Sequence, residues 1–241
     1  MAQCKSCDRS GMFFSVNGDG LCSSCAPVVV MDVSQKVRLV NDCAKLVEES
    51  ANLDVQLSRY DFLMENLYGL LKYERKGIVT CSPAPSAFIN TYRGRKNEII
   101  VNHLKSALEA AKEKMPLASS VKTKINQLAK ILLKVRDYKN KVTDAALLKP
   151  TEQEIVDLIH RIQLDGYLDA AKKAEFKGQQ KKALDQYYEA LYFLKHDEIH
   201  DAMQAEHISQ IEKKIADLGG ATPIIEFSPL PLSAVGLLLG Q

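Results

Sequence analysis

The chain has 241 residues, of which 46% are apolar and 26% charged. This balance is typical of a globular protein that can bury at least one sizeable core, so we expect one or two domains. The net charge of +2, from 32 basic and 30 acidic residues, is too close to zero to indicate a nucleic-acid or membrane partner from the whole-chain charge.

The sequence also carries no signature of a membrane or secreted protein. We find no run of the roughly 18 to 20 apolar residues that a bilayer-spanning helix needs, and the N-terminus has no apolar core resembling a signal peptide. We therefore expect a cytoplasmic protein.

Four of the six cysteines stand near the N-terminus as two C-x-x-C pairs. Cys4 and Cys7 form the first pair, and Cys22 and Cys25 form the second pair after fourteen intervening residues. Two such pairs can complete a tetrahedron of thiolates around one ion, and the spacing is close to that of zinc ribbons. The pattern predicts a structural Zn²⁺ site. Iron in a rubredoxin-like site and redox-active or unliganded thiols are the alternatives.

The residues between the two pairs predict a small β-hairpin. Residues 11–16 can form a short strand, and Asn17 to Gly20 have the composition of a turn. We expect Phe13 and Phe14 to pack on the hairpin or the first helix, rather than to stack on bases. The whole N-terminal pattern looks like zinc-ribbon heads on uncharacterised bacterial and phage proteins, a resemblance that implies no activity.

From residue 32 to residue 141 the apolar periodicity predicts helices. Asp32 or Ser34 is a candidate N-cap for the first helix, and a change in the apolar face near residues 50–52 indicates a tight hairpin or a strong kink. A loop follows at residues 80–85, Ser86 can cap a helix that runs to about Met115, and a further amphipathic helix carries apolar residues at 121, 125, 128, 132 and 135.

Two further helices are predicted after residue 149. Thr151 and Glu154 have the spacing of a capping box at a helix start. Around Gly178 the sequence resembles one tetratricopeptide repeat, with Ala183, Tyr187 and Ala190 at its packing positions and Ala171 in place of the family's usual glycine. The resemblance implies two closely packed antiparallel helices. A capping helix follows, ending at residues 219–220.

The last residues, 221–241, form an apolar, proline-containing tail. This tail is too short to span a membrane, and we expect it to dock in a groove on this chain, on another copy or on a partner. A disordered tail is the alternative.

Positive charge is concentrated in one segment. Between Thr91 and Lys141 the chain has thirteen Lys or Arg residues against four acidic residues, a local excess of nine positive charges. Such a basic ridge suits phosphates or acidic protein surfaces. The basic residues are Arg93, Arg95, Lys96, Lys105, Lys112, Lys114, Lys122, Lys124, Lys130, Lys134, Arg136, Lys139 and Lys141.

No convincing catalytic motif occurs. We find no nucleophile elbow, no phosphate-binding glycine loop and no zinc-protease motif. His196 and His200 stand four residues apart, which could hold a metal, but the pair lies at a predicted helix junction. We predict a protein that is not an enzyme.

These observations predict an all-α body with a small N-terminal β-hairpin zinc ribbon. The predicted domains are a zinc ribbon at 1–30, a helical bundle at 31–148, a repeat-like hairpin with a capping helix at 149–220 and the tail at 221–241. The predicted function is a zinc-binding adaptor or scaffold that assembles with itself or with another protein, without a small-molecule substrate. The alternative is a nucleic-acid-binding accessory protein that uses the ridge at 93–141.

Overall fold

The computed structural model describes residues 2–118, 120–197 and 201–221, without the side chains of residues 201 and 202. Within these ranges the chain is predominantly helical and contains no strand, as the all-α prediction required. The seven α-helices are α1 (Cys25–Glu49), α2 (Leu53–Glu74), α3 (Pro85–Lys114), α4 (Val121–Tyr138), α5 (Lys149–Phe176), α6 (Gln180–His196) and α7 (Asp201–Asp217). Short 3-10 turns occupy Met115–Leu117 and Ala145–Leu148.

The contacts divide the chain into two compact units. Unit 1 comprises Met1–Ala107 with Lys134–Pro150, and unit 2 comprises Leu108–Leu133 with Thr151–Gln241, taken over the described residues. These limits differ from the predicted domain bounds at 30/31, 148/149 and 220/221. Contact density does not test independent folding, so the domain bounds stay a prediction.

In unit 1, α1 and α2 form the helical hairpin that the phase change near residue 51 predicted. Asn52 starts α2, because its side-chain Oδ1 accepts hydrogen bonds from the backbone N–H groups of Asp54 (2.9 Å) and Val55 (3.3 Å). The apolar faces of α1, α2 and α3 meet in one buried cluster. Its buried members are Val40, Cys43, Leu63, Leu67, Leu70 and Ile89.

The cap predicted at Ser86 was wrong, because helix α3 begins at Pro85 and Ser86 lies in its first turn, where it contacts a side chain of α2. The Ser86 backbone N–H donates to Glu74 Oε2 at 2.9 Å and its hydroxyl donates to Glu74 Oε1 at 2.6 Å. A carboxylate at a helix N-terminus stabilises the helix through the unpaired N–H groups and the helix dipole. In this way α2 fixes where α3 starts.

In unit 2, one apolar cluster joins residues of α5, α6 and α7. Two of its members, Ala171 and Ala190, are fully buried alanines, and Ala183 on α6 is also fully buried. The turn between α5 and α6 has Gly178 at φ +68°, where the Gly178 N–H donates to Glu175 O and the Gln179 N–H to Ala174 O. Only a glycine adopts this left-handed conformation without strain, as the predicted hairpin required.

The capping box predicted at Thr151 was wrong. Helix α5 begins at Lys149, so Thr151 lies inside the helix and is buried, and Glu154 forms an ion pair with Lys112 instead. Asp144 caps the 3-10 turn in front of α5, because its carboxylate accepts a hydrogen bond from the Ala146 N–H at 2.8 Å. The preceding turn, which the sequence pattern does not reveal, therefore determines the start of the helix.

The predicted end of the capping helix is confirmed. Gly219 has φ +77°, and the Gly220 N–H donates to Ile215 O at 2.9 Å, which closes α7. The tail prediction falls outside the described residues except for Ala221. No helix within the described ranges is long and apolar enough to cross a bilayer.

Candidate metal centre

The metal head, residues 2–24, brings three N-terminal cysteines, Cys4, Cys7 and Cys22, together with Cys25, the first residue of α1. The sulfurs of Cys4, Cys7, Cys22 and Cys25 all lie within 4.8 Å of one another, and Cys7 Sγ lies 3.9 Å from Cys22 Sγ. In a tetrahedral site with Zn–S bonds of about 2.3 Å, the sulfurs are about 3.8 Å apart. The four thiols are therefore close enough to hold one metal ion with only small adjustments.

Backbone N–H groups point at one sulfur of each C-x-x-C pair in the same manner. Hydrogen bonding by the backbone lowers the pKa of Cys4, through Cys7 and Ser6, and the pKa of Cys22, through Cys25 and Ser24. A further N–H, from Cys22, donates to Cys4 Sγ at 3.4 Å. Both pairs thus form knuckles whose donors stabilise a thiolate, the form in which cysteine binds metal.

The second knuckle leads directly into α1. The N–H groups of Cys25 and Ala26 both donate to Cys22 O, so the turn that wraps the Cys22 sulfur becomes the first turn of the helix. The helix start predicted at Asp32 or Ser34 was therefore too late, and Pro27 fits in the first turn because no helical N–H bond is needed there. The Cys22 sulfur consequently lies at a helix N-terminus, which favours negative charge.

The local environment affects the four thiols unequally. Hydrogen bonds from the backbone, first of all from the Cys7 N–H, lower the pKa of Cys4 to about 6, and those led by the Cys25 N–H lower the pKa of Cys22. The neighbouring sulfurs, first that of Cys22, raise the pKa of Cys25 to about 12. Without a cation the four sulfurs cannot all be ionised, because the negative charges repel one another. A divalent cation would offset this repulsion and release protons on binding.

The predicted β-hairpin is not present in the head. Residues 11–16 have no strand, and the head has one isolated antiparallel bridge, Gln3 to Ser10, within residues 2–24. The predicted turn does form, since Asn17 Oδ1 accepts from the Asp19 and Leu21 N–H groups at 3.1 and 2.9 Å. In the segment that was expected to be a strand, Phe14 and Val16 pack against buried residues, whereas Met12 and Phe13 are exposed.

The head packs on the helical hairpin through an apolar cluster, which we call the head cluster. Its buried members are Cys4, Leu21, Cys22, Val29 and Ile78, with Phe14, Val16, Cys25, Ala26, Val33 and Tyr73 partly buried against them. The expectation for the two phenylalanines holds for one of them only. Phe14 packs into the cluster, whereas Phe13 is 99% exposed.

Two lysines join the first knuckle to the end of α2. Lys5 Nζ donates to Gly77 O at 2.8 Å, and Lys76 Nζ donates to Ser6 O at 2.7 Å. Gly20, which follows this contact region, has φ +79°, a backbone conformation that strains any L side chain and therefore favours glycine. No sequence pattern reveals these contacts, which connect residues about 70 positions apart.

Across the described residues, the Cys4, Cys7, Cys22 and Cys25 cluster is the group that could hold a metal ion. His196 and His200 were the other possible metal pair in the sequence, but their separation is not described because His200 lies outside the described residues. The His196 ring stacks on Tyr192 at 3.9 Å, and its Nδ1 lies 2.8 Å from Tyr192 O. The remaining cysteines, Cys43 and Cys81, lie in the helical hairpin and the loop before α3.

Several cations of the basic ridge contact acidic or aromatic side chains in their own unit. In unit 1, Arg95 pairs with Glu48 at 3.5 Å and Lys96 with Asp61 at 2.6 Å. In unit 2, Lys112 pairs with Glu109 at 2.8 Å. Lys122, Lys130 and Lys134 are exposed on α4. Part of the local positive charge is therefore balanced within the fold.

The comparisons with known proteins give no relative. No family model matches the chain, and neither a curated protein nor a solved structure matches it.

Proposed function

We propose that this chain is a non-enzymatic zinc-binding adaptor, in which Zn²⁺ on Cys4, Cys7, Cys22 and Cys25 shapes the metal head and the helical units carry protein partners. The observation that carries the proposal is the approach of the four sulfurs to within 4.8 Å of one another. Zinc fits better than harder cations because four thiolates in a tetrahedron match its preferred ligands.

The donor set favours a structural role. Four thiolates complete the coordination of zinc and leave no open position for water or substrate, unlike catalytic sites with three protein ligands. Cys4 and Cys22 are buried, and only Cys7 is exposed. Cysteines that serve as metal ligands rather than as disulfide partners are typical of a reducing compartment such as the cytoplasm.

The packing of the head supports a scaffold in which the metal stabilises the helices as well as the metal head. A head of about 24 residues buries too little apolar surface to fold without help, so the metal must supply most of its folding free energy. The head cluster includes Val29 from α1 and Tyr73 from α2, and Lys5 and Lys76 add hydrogen bonds. Metal binding then stabilises one end of the α1 and α2 hairpin as well.

The adaptor role draws support from unit 2, where the α5 and α6 hairpin resembles one tetratricopeptide repeat. Repeats of that type bury their faces against neighbouring repeats. Here α7 covers one face through Ile208, Ile211 and Ile215, while Phe176 at the end of α5 and Met203 on α7 remain exposed. Exposed large apolar side chains of this kind are usual at protein contacts.

The alternative is a nucleic-acid-binding accessory protein that uses the basic ridge at 93–141, where Lys122 and Lys130 of unit 2 are exposed. The ion pairs of Arg95, Lys96 and Lys112 weaken it. DNA and RNA binding measured at about 50 and 200 mM salt separates the two functions, because phosphate contacts lose affinity steeply over that range. The adaptor function predicts no salt-sensitive binding to DNA or RNA.

The test of the adaptor uses two cysteine variants of the full-length chain. Cys22→Ser removes a proposed ligand, whereas Cys81→Ser changes a cysteine outside the cluster. We expect elemental analysis to find one zinc per chain in the wild type and in Cys81→Ser, and a loss of zinc in Cys22→Ser. Affinity purification from the native cell should recover a protein partner, or a second copy of this chain, with Cys81→Ser but not with Cys22→Ser. Equal recovery with both variants would contradict a metal-organised adaptor.

A further inference from the structure

A cavity of about 320 Å³ lies in unit 1, where the groove between α1 and α2 meets the metal head. We call it the lysine cavity. Its lining residues are Ser6 of the head, Asp32 and Lys36 of α1, Gly69, Lys72 and Tyr73 of α2, and Lys76 just after α2. Small-molecule sites commonly measure about 300 to 1,000 Å³, so the lysine cavity has room for one small ligand.

The lysine cavity is strongly basic for its size. Among the described residues that line it, three are lysines and one, Asp32, is acidic, which leaves an excess of two positive charges. The whole chain has the same excess, spread over 241 residues. These lysines also lie outside the basic ridge at 93–141. Two unbalanced positive charges in so small a space attract an anion with two negative charges.

The carboxylate of Asp32 is already engaged within the cavity wall. Its Oδ1 pairs with Lys36, and its Oδ2 accepts a hydrogen bond from the Tyr73 hydroxyl at 2.7 Å. The hydrogen bonds from Lys36 and from Tyr73 lower the pKa of Asp32, so this carboxylate is ionised at neutral pH. Asp32 therefore holds Lys36 and Tyr73 in place, and both of its oxygens have a donor before any ligand enters.

The three ammonium groups keep N–H donors for a ligand. A lysine has three such donors, of which Lys36 uses one on Asp32 and Lys76 uses one on Ser6 O at 2.7 Å. Lys72 lies near enough to Asp32 for its charge to lower the pKa of that carboxylate, but among the described residues it makes no hydrogen bond or ion pair. A tetrahedral anion has enough oxygens to accept from all three lysines.

A glycine in the middle of α2 leaves room for the end of Lys36. A Cβ at Gly69 would lie 2.6 Å from Cε and 3.0 Å from Cδ of Lys36. An alanine at position 69 would therefore displace the Lys36 ammonium from its place in the cavity. Glycine destabilises a helix interior by about 1 kcal/mol relative to alanine, so α2 is less stable at the position where Lys36 crosses it.

We propose that the lysine cavity binds the terminal phosphate group of a small phosphate ester through Lys36, Lys72 and Lys76. Such a group carries about −1.5 to −2 charges at neutral pH, which matches the excess of positive charge, and lysine is a common phosphate ligand. A nucleic-acid backbone carries one charge per phosphate and is a polymer too large for this volume. The inference goes beyond the adaptor function and does not depend on which protein partner the chain binds.

A bound phosphate would contact the metal head and the helical hairpin together. Ser6 stands between the proposed metal ligands Cys4 and Cys7, and its carbonyl oxygen accepts from Lys76 on the opposite wall. An anion that draws Lys36, Lys72 and Lys76 together therefore adds a link at the place where the head meets α2.

The test is isothermal titration calorimetry of the full-length protein, as purified, with inorganic phosphate and with glycerol phosphate. Lys72→Gln removes one charge from the cavity and leaves the contacts of Lys36 and Lys76 in place. Lys45→Gln, at an exposed position of α1 outside the cavity, is the matched control. We expect the wild type and Lys45→Gln to bind both probes with a dissociation constant of about 1 mM or below. Lys72→Gln should bind about tenfold more weakly, because it lacks one hydrogen bond between charged groups.

The other outcomes each decide against part of the proposal. No binding of either probe at millimolar concentrations, or equal affinity in Lys72→Gln and Lys45→Gln, overturns the site. Binding of acetate as tightly as phosphate overturns the preference for a doubly charged anion. Binding of inorganic phosphate without glycerol phosphate overturns the ester.

A short single-stranded oligonucleotide without a terminal phosphate separates the small ester from a nucleic acid. We expect it to bind more weakly than glycerol phosphate, with the same affinity for Lys72→Gln and Lys45→Gln. Tighter binding that is lost in Lys72→Gln would overturn the small ester in favour of a nucleic-acid ligand.

Discussion

Leu21 joins the metal knuckles to the helical hairpin, and its replacement by alanine should weaken zinc binding. This side chain is 1% exposed and packs with Val29 and Ile78 in the head cluster. It does not ligate the metal, although it precedes Cys22 in the chain. Any effect of Leu21→Ala on zinc affinity must therefore act through the packing of the head on the helices.

The magnitude follows from the burial of the side chain. Replacing a fully buried leucine by alanine costs about 2 to 5 kcal/mol in a core that cannot relax fully. The substitution destabilises the folded, metal-bound head but not the unfolded head. Because zinc binding and folding of the head are coupled, the lost free energy weakens zinc binding. Since about 1.4 kcal/mol corresponds to a factor of ten, the zinc dissociation constant should rise about thirtyfold or more.

The assay is a competition between the full-length chain and a chromogenic zinc chelator. Phe13→Ala is the control, because Phe13 lies in the same segment between the knuckles but is 99% exposed, and its zinc affinity should equal that of the wild type. Far-ultraviolet circular dichroism should show that Leu21→Ala keeps its helices. Unchanged zinc affinity in a helical Leu21→Ala protein would refute the dependence of the metal head on the hairpin.

Three further substitutions test the helical units by urea unfolding. Tyr187 donates a hydrogen bond to Glu175, and this bond is the main cause of the lowered pKa of the Glu175 carboxylate. Tyr187→Phe removes the bond and should lower the free energy of unfolding by about 1 to 3 kcal/mol at neutral pH. Because the pKa of Glu175 is lowered in the folded state, the ionised carboxylate stabilises the fold above its unfolded-state pKa, and this stabilisation is lost as the pH falls through the folded-state pKa. The stabilities of wild type and Tyr187→Phe should therefore converge at acidic pH, and a pH-independent difference would contradict this. Asn52→Ala removes the N-cap of α2 and should lower the free energy of unfolding by about 1 kcal/mol. An unchanged free energy would mean that this cap does not stabilise the fold. Gly178→Ala forces an alanine to φ +68° and should lower the free energy of unfolding by about 1 to 2 kcal/mol. A Cβ at this position would meet open space, so the loss would come from backbone strain alone. An unchanged stability would contradict this strain.

Features of the fold that depend on one stretch of sequence were predicted well. The predicted apolar stripe of α4 is buried at Ile125, Leu128, Leu132 and Val135, whereas Val121 at the start of the helix is exposed. The break between α1 and α2 lies where the apolar face changes. The approach of the four cysteines also follows from their spacing. Each of these features depends on apolar periodicity or on a short motif, and both can be recognised within one stretch of sequence.

Features that depend on distant contacts were missed. The strand expected at residues 11–16 is absent because Phe14 and Val16 pack on residues from α1 and α2, and no partner strand is available within the described head. Glu154 has capping-box spacing, but Lys112 is its partner. The contacts of Lys5 with Gly77 and of Lys76 with Ser6 connect segments that no local pattern relates.

The most direct test of the account is the metal content of freshly purified full-length protein, measured by elemental analysis and by native mass spectrometry. The account predicts one zinc ion per chain, which a strong chelator removes with loss of the folded head and release of four reactive thiols. Iron in its place would contradict the assignment of zinc. Four free thiols with no stoichiometric metal would contradict the metal centre itself.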